Sequence, residues 1–162
     1  MVFFPSYAYL SRVDALLAAE GVPGAAILRE ARGLTEEEKN ALLSAFDKRD
    51  GRTVLLAVLG GAFAEGVDLA GERLQNVIVV STGLPQMDAR VRAMRRYHDE
   101  NGADGAFLCM TLPGMVRVIQ SAGRLIRTQS DHGALLLIDS RYQRGAERAL
   151  LSGTLIGDAL SG

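Results

Sequence analysis

Short apolar runs alternate with longer amphipathic stretches along this chain. Met1–Phe4 predicts a short buried strand. Ser6 is placed to cap a helix that carries Leu10, Val13, Leu16 and Leu17 on one face. Gly21-Val22-Pro23-Gly24 ends that helix, and Ala25–Leu28 predicts a second, weaker strand. Thr35 and Glu38 form a capping box, opening a helix to about Asp47 with Leu42, Leu43 and Phe46 inward. Asp50-Gly51 is a turn. Thr53–Leu59 and Asn76–Ser81 are almost wholly apolar and β-branched, the pattern of strands covered on both faces. Asp88–Glu100 predicts a helix with Val91 and Met94 inward and its arginines outward. Pro113–Thr128 predicts a longer helix, and Ala134–Asp139 a last buried strand. Buried strands alternating with helices predict an α/β layer fold with a parallel sheet. In such folds ligands bind beyond the carboxyl ends of the strands.

Composition narrows the picture only slightly. A chain of 162 residues suffices for one domain with a full core, and 48% hydrophobic with 23% charged residues is ordinary for a soluble globular protein. A net charge of −1 gives no overall attraction for nucleic acid, so any basic surface must be local. The single cysteine, Cys109, rules out an internal disulfide and a cysteine-only cluster such as an iron–sulfur centre. It reads as a small buried hydrophobe and fits a reducing compartment. No apolar run is long enough to cross a bilayer, so no membrane partner is expected. Met1–Pro5 carries no basic lead-in of a signal peptide. The chain opens directly on an apolar run, which reads as a segment cut from a longer protein. It contains no repeat, low-complexity stretch or linker.

Two places carry candidate chemistry. After the strand Thr53–Leu59 comes Gly60-Gly61-Ala62-Phe63-Ala64-Glu65-Gly66-Val67-Asp68-Leu69-Ala70-Gly71. The glycines let backbone approach a ligand and free amides for phosphates. Glu65 and Asp68 can accept bonds from ribose hydroxyls or an arginine. An ordinary solvent loop is the competing reading. On the helix Pro113–Thr128, Gln120, Arg124 and Arg127 share one face, while Val116, Ile119, Ala122 and Ile126 cover most of the rest. One amide and two guanidiniums suit phosphate oxygens; a solvated face with ion pairs is the alternative. Gly123 within this helix predicts that another backbone packs close to it. Neither of the chain's two lysines follows a glycine, so it holds no P-loop. No metal site is predicted, and neither His98 nor His132 has ligand-like spacing.

These residues carry a resemblance. Val2-Phe3-Phe4-Pro5-Ser6-Tyr7 resembles motif IV of DinG/XPD-like superfamily 2 helicases. Gly61 to Gly71 resembles their motif V, G-x-F-x-E-G-[IV]-D-x-x-G. Gln120-Ser121-Ala122-Gly123-Arg124-Leu125-Ile126-Arg127 resembles motif VI, Q-x-x-G-R-x-I-R, and Asp131-His132-Gly133 and Asp139-Ser140-Arg141-Tyr142 continue the pattern. Gly83-Leu84-Pro85-Gln86 and Leu112-Pro113-Gly114-Met115 look most like the bacterial members, which implies a bacterial cytoplasm.

The resemblance implies a RecA-like three-layer fold over residues 1–142, with 143–162 a variable tail whose glycines and leucines suggest a helix and then a frayed end. It implies a motor in which ATP and Mg²⁺ lie between this domain and an absent N-terminal RecA-like domain holding the P-loop. Arg127 would be the arginine finger, Arg124 a second phosphate contact and Gln120 a γ-phosphate sensor. Glu65, Gly66 and Asp68 would line the nucleotide and couple it to DNA. Single-stranded DNA would meet Ser6, Tyr7, Gly61 and Phe63, with Tyr7 either stacking on a base or buried at its helix start. Arg90, Arg92, Arg95 and Arg96 would add phosphate contacts or form a solvated face. The chain alone would not hydrolyse ATP, and an exposed domain interface would permit self-association. The competing class is a non-catalytic, stand-alone RecA-like module that binds nucleic acid or a protein. A helicase–nuclease fusion is a third.

Overall fold

The computed structural model describes residues 1–47, 51–64, 74–125, 133–152 and 154. Five strands, β1 (Val2–Phe4), β2 (Ala25–Arg29), β3 (Arg52–Val58), β4 (Asn76–Val80) and β5 (Ala134–Ile138), form one sheet in the order β2-β3-β1-β4-β5. Every pairing is parallel, with Val2 level with Leu56 on one side and Ile78 on the other. All five carboxyl ends therefore reach the same edge of the sheet, and the loops leaving them share one rim.

Helices cover both faces. On one side α1 (Tyr7–Glu20) lays Leu10, Val13 and Leu17 over Phe4, Leu56 and Val58. On the other, α2 (Glu36–Asp47), α4 (Leu112–Ala122) and α5 (Gly145–Ser152) enclose the main core around Phe3, Leu55, Val77, Val79, Met115 and Val118. The caps follow the sequence signals. Ser6 Oγ accepts from Tyr9 N at 3.2 Å. Thr35 and Glu38 bond reciprocally, Thr35 N to Glu38 Oε2 at 2.8 Å and Glu38 N to Thr35 Oγ1 at 3.2 Å.

Four expectations are corrected. The helix α3 (Ala89–Glu100) buries no residue, and Met94 is 45% exposed rather than inward. It is a polar-rich helix on the surface, where Arg92 donates to Met87 O and Arg95 pairs with Asp99. The expected Pro113–Thr128 helix is displaced. A wide π-helical turn, Phe107–Thr111, leads into α4, which ends at Ala122. Gly123 caps that end at φ −63°, and among the described residues only its own helix's carbonyls lie close to it. The close approach falls on Gly114 instead, where an added Cβ would lie 2.6 Å from Thr82 O. Finally, β5 is not a buried strand, since Leu136 and Ile138 on one of its faces are half exposed; beyond it, α5 is the helix suggested within 143–162, and it seats Leu151 in the main core.

Candidate nucleotide and nucleic-acid interface

The rim loops converge on the segment that leaves β3. Its backbone is tightly turned: Gly61 N donates to Val58 O at 2.8 Å and Ala64 N to Gly61 O at 3.0 Å. Two side chains from elsewhere grip it. From the end of α4, the Arg124 guanidinium donates through Nε at 3.1 Å and Nη2 at 2.5 Å to Ala64 O. From the end of β2, Glu30 accepts from Ala62 N at 2.7 Å and Val58 N at 2.8 Å. Both are buried, Arg124 at 8% and Glu30 at 3% exposure. Burial of charge is tolerable only with such bonds.

Tyr7, in the first turn of α1, donates its hydroxyl to Glu30 Oε1 at 2.8 Å, and the Arg32 guanidinium lies 4.7 Å over its ring. Burial, then the bond to and negative charge of Glu30, push the Tyr7 phenol up to about 12; Arg32 works against them. Gly61 is required by the same carboxylate, because a Cβ there would overlap Glu30 Oε1. Ser6 is engaged as the α1 cap.

The far side of the rim is held by the strand that leaves as β5. Asp139 accepts from Arg141 N and Nε at 2.9 Å and from Nη2 at 2.7 Å, and those bonds hold its carboxyl below the usual value. The same Arg141 Nη2 reaches Ser81 Oγ at 3.3 Å, and Tyr142 donates its hydroxyl to Ser81 O. Ser81 is thereby pinned at φ 69°, a left-handed conformation uncommon for serine. Burial pushes the Tyr142 phenol upward. Between these loops lies Arg117 of α4, which donates to Gly83 O at 3.3 Å. Its Nε would stand 3.2 Å from a Cβ on Gly60, whose φ is 74°.

Phe63 is corrected. Its side chain is wholly buried in the main core and cannot touch a strand of DNA. The motif resemblance placed it at the DNA, but the tight turn after β3 folds it inward. Gln120 is exposed on α4, whereas Arg124, past the helix end, turns into the protein. The two therefore do not present a common open face. Arg127, Glu65, Gly66 and Asp68 lie outside the described residues. Sequence reasoning missed Glu30, Arg117 and Ser81. A lone acid directly after a strand was the only signal for Glu30.

A family model, described as "Helicase C-terminal domain", matches residues 1–155. The chain belongs to the helicase C-terminal domain family. Among curated relatives of this domain, the "Regulator of telomere elongation helicase 1 homolog" of Anopheles gambiae is 33% identical over 94% of the chain. The "ATP-dependent DNA helicase chl-1" of Caenorhabditis elegans is 29% identical over 98%. The chain spans only 17% and 20% of these two proteins. Solved structures named "XPD_APO" and "XPD_Helicase" share the fold, with TM-scores of 0.72 and 0.70 at 22% and 21% identity. They cover 93% and 94% of the chain, which covers 30% and 26% of theirs. The RecA-like architecture expected from the motifs is thus present. The expected bacterial cytoplasmic origin is overturned, since these curated relatives are insect and nematode proteins. Among the described residues no helix is long and apolar enough to cross a membrane.

Proposed function

We propose that this chain is the second motor lobe of an ATP-dependent DNA helicase, completed by an N-terminal RecA-like domain that brings the P-loop. The observation that carries this reading is the bond of Arg124 to Ala64 O. It joins the segment resembling motif VI to the loop resembling motif V, at the edge where a parallel sheet binds ligands. Arg127, three residues beyond, is the arginine finger. It stabilises charge that develops on the transferring phosphoryl group. Gln120, exposed on α4, senses the γ-phosphate. Arg124 acts chiefly by holding the loop that precedes Glu65, Gly66 and Asp68, the residues assigned to the nucleotide by the motif. Single-stranded DNA crosses the rim at Ser6, Tyr7 and the backbone of Gly61.

Mg²⁺ neutralises phosphate charge in such reactions. By the family resemblance, its ligands belong to the other lobe, which carries the P-loop. Turnover drives movement along DNA in the 5′→3′ direction, by analogy with the family resembled.

The test is Arg127→Ala in the full-length protein. ATP turnover should fall about 10³-fold or more while oligonucleotide binding persists. Turnover within tenfold of wild type would remove Arg127 from this role, and absent turnover in wild type would favour a stand-alone binding module.

A further inference from the structure

We propose that Glu30 is a positioning residue linking the nucleic-acid side of the rim to the nucleotide side. The inference rests on the motor reading above and assigns it a connecting group. Glu30 Oε1 is shared: it accepts from the Tyr7 hydroxyl and from Ala62 N, at 2.8 and 2.7 Å. Two residues later, Ala64 O receives Arg124. A continuous path of hydrogen bonds and three loop residues therefore runs from α1, through Glu30, to the end of α4.

Each part of the path is stiff. The Glu30 carboxylate is 3% exposed and its second oxygen is fixed by Val58 N. Glycine at position 61 is what admits the carboxylate, so the loop and the acid are shaped for each other. A buried acid is a poor choice if packing alone is needed, because an apolar side chain of similar volume avoids the desolvation. What the acid adds is a single oxygen answering two donors. When a strand of nucleic acid displaces the Tyr7 hydroxyl, Oε1 loses one donor and its bond to Ala62 changes with it. Arg32, over the Tyr7 ring, is the nearby cation that can follow either the ring or an arriving phosphate.

The experiment is a double-mutant cycle in the full-length protein, with Tyr7→Phe, Glu30→Gln and the pair, titrated with oligothymidylate. Each single variant should lower the ratio of stimulated to unstimulated ATP turnover about tenfold, and the pair should fall no further. Backbone amide exchange over residues 58–64 should respond to oligothymidylate in wild type and lose that response in Tyr7→Phe. Tyr7→Phe removes only one oxygen from a half-buried side chain, so it decides the matter if Glu30→Gln unfolds. Independent, multiplying effects, or an exchange response that survives in Tyr7→Phe, would overturn the proposal. Failure of the motor reading shows differently, as wild-type protein that oligothymidylate does not stimulate at all.

Discussion

One carboxylate, Asp139, organises the far rim by taking three bonds from Arg141. Those bonds lower its pKa from 3.8. A carboxyl lowered on folding contributes stability above its unfolded pKa and loses it as pH falls through the folded value. Asp139→Asn should therefore cost about 1 kcal/mol near neutral pH, allowing for the partial exposure of Arg141. The difference from wild type should shrink as pH falls below 3.8. Denaturant melts at a series of pH values check it, and a gap that stays constant through that range contradicts it. At this scale the sequence was a partial guide. Ser6, Thr35 and Glu38 were legible because capping is local chemistry between residues three apart. Glu30 and Arg117 were not, because their partners lie 23 or more positions away and only the assembled rim brings them together. The inward turn of Phe63 was equally invisible, since glycines on both sides leave its direction to the tertiary fold.

Among the elements, the strands were the most legible: all five fall where the apolar runs placed them. Central strands such as β3 are covered on both faces and leave little room for polar residues, although β5, expected as buried, is covered on one face alone. Helix ends and helix faces were less so. Met94 has the spacing of an inward residue, yet α3 finds no surface on which to bury it. In α4 the informative glycine was Gly114, not Gly123, and the two separate cleanly by mutation. Gly114→Ala places a Cβ against the Thr82 carbonyl and neighbouring backbone, and should cost roughly 1–3 kcal/mol. Gly123→Ala sits at negative φ on an exposed helix end, 3.1 Å from its own helix carbonyl of Ile119, and should change stability by less than about 1 kcal/mol. Thermal melts of the two variants measure the contrast; equal losses would mean that the crossing of the Thr82–Leu84 segment over α4 is not tight.

At the scale of the whole molecule, the helical cover is uneven. On the α1 side, the register continues from Leu56 and Val2 through Ile78 to Leu136, and from Val58 through Val80 to Ile138. Leu136 and Ile138 are 52% and 48% exposed. Apolar side chains left in a row on a sheet edge favour association. The isolated chain should self-associate with concentration in sedimentation velocity, and Leu136→Thr with Ile138→Thr should suppress this. Purely monomeric wild-type sedimentation at high concentration contradicts the prediction.

The all-parallel order has a consequence for biogenesis. Its middle strand, β1, is made first, yet its neighbours on either side are β3 and β4. Val2 must wait for Leu56 and then for Ile78 to leave the ribosome before it has a bonding partner. None of the five described strands pairs with its neighbour as a hairpin, so assembly of this sheet depends on distant segments meeting and is intrinsically slow. Over that interval α1 can shelter Phe4, but Phe3 travels without the main-core residues of β3 and β4 that cover it, a handhold for a chaperone and an exposure to aggregation.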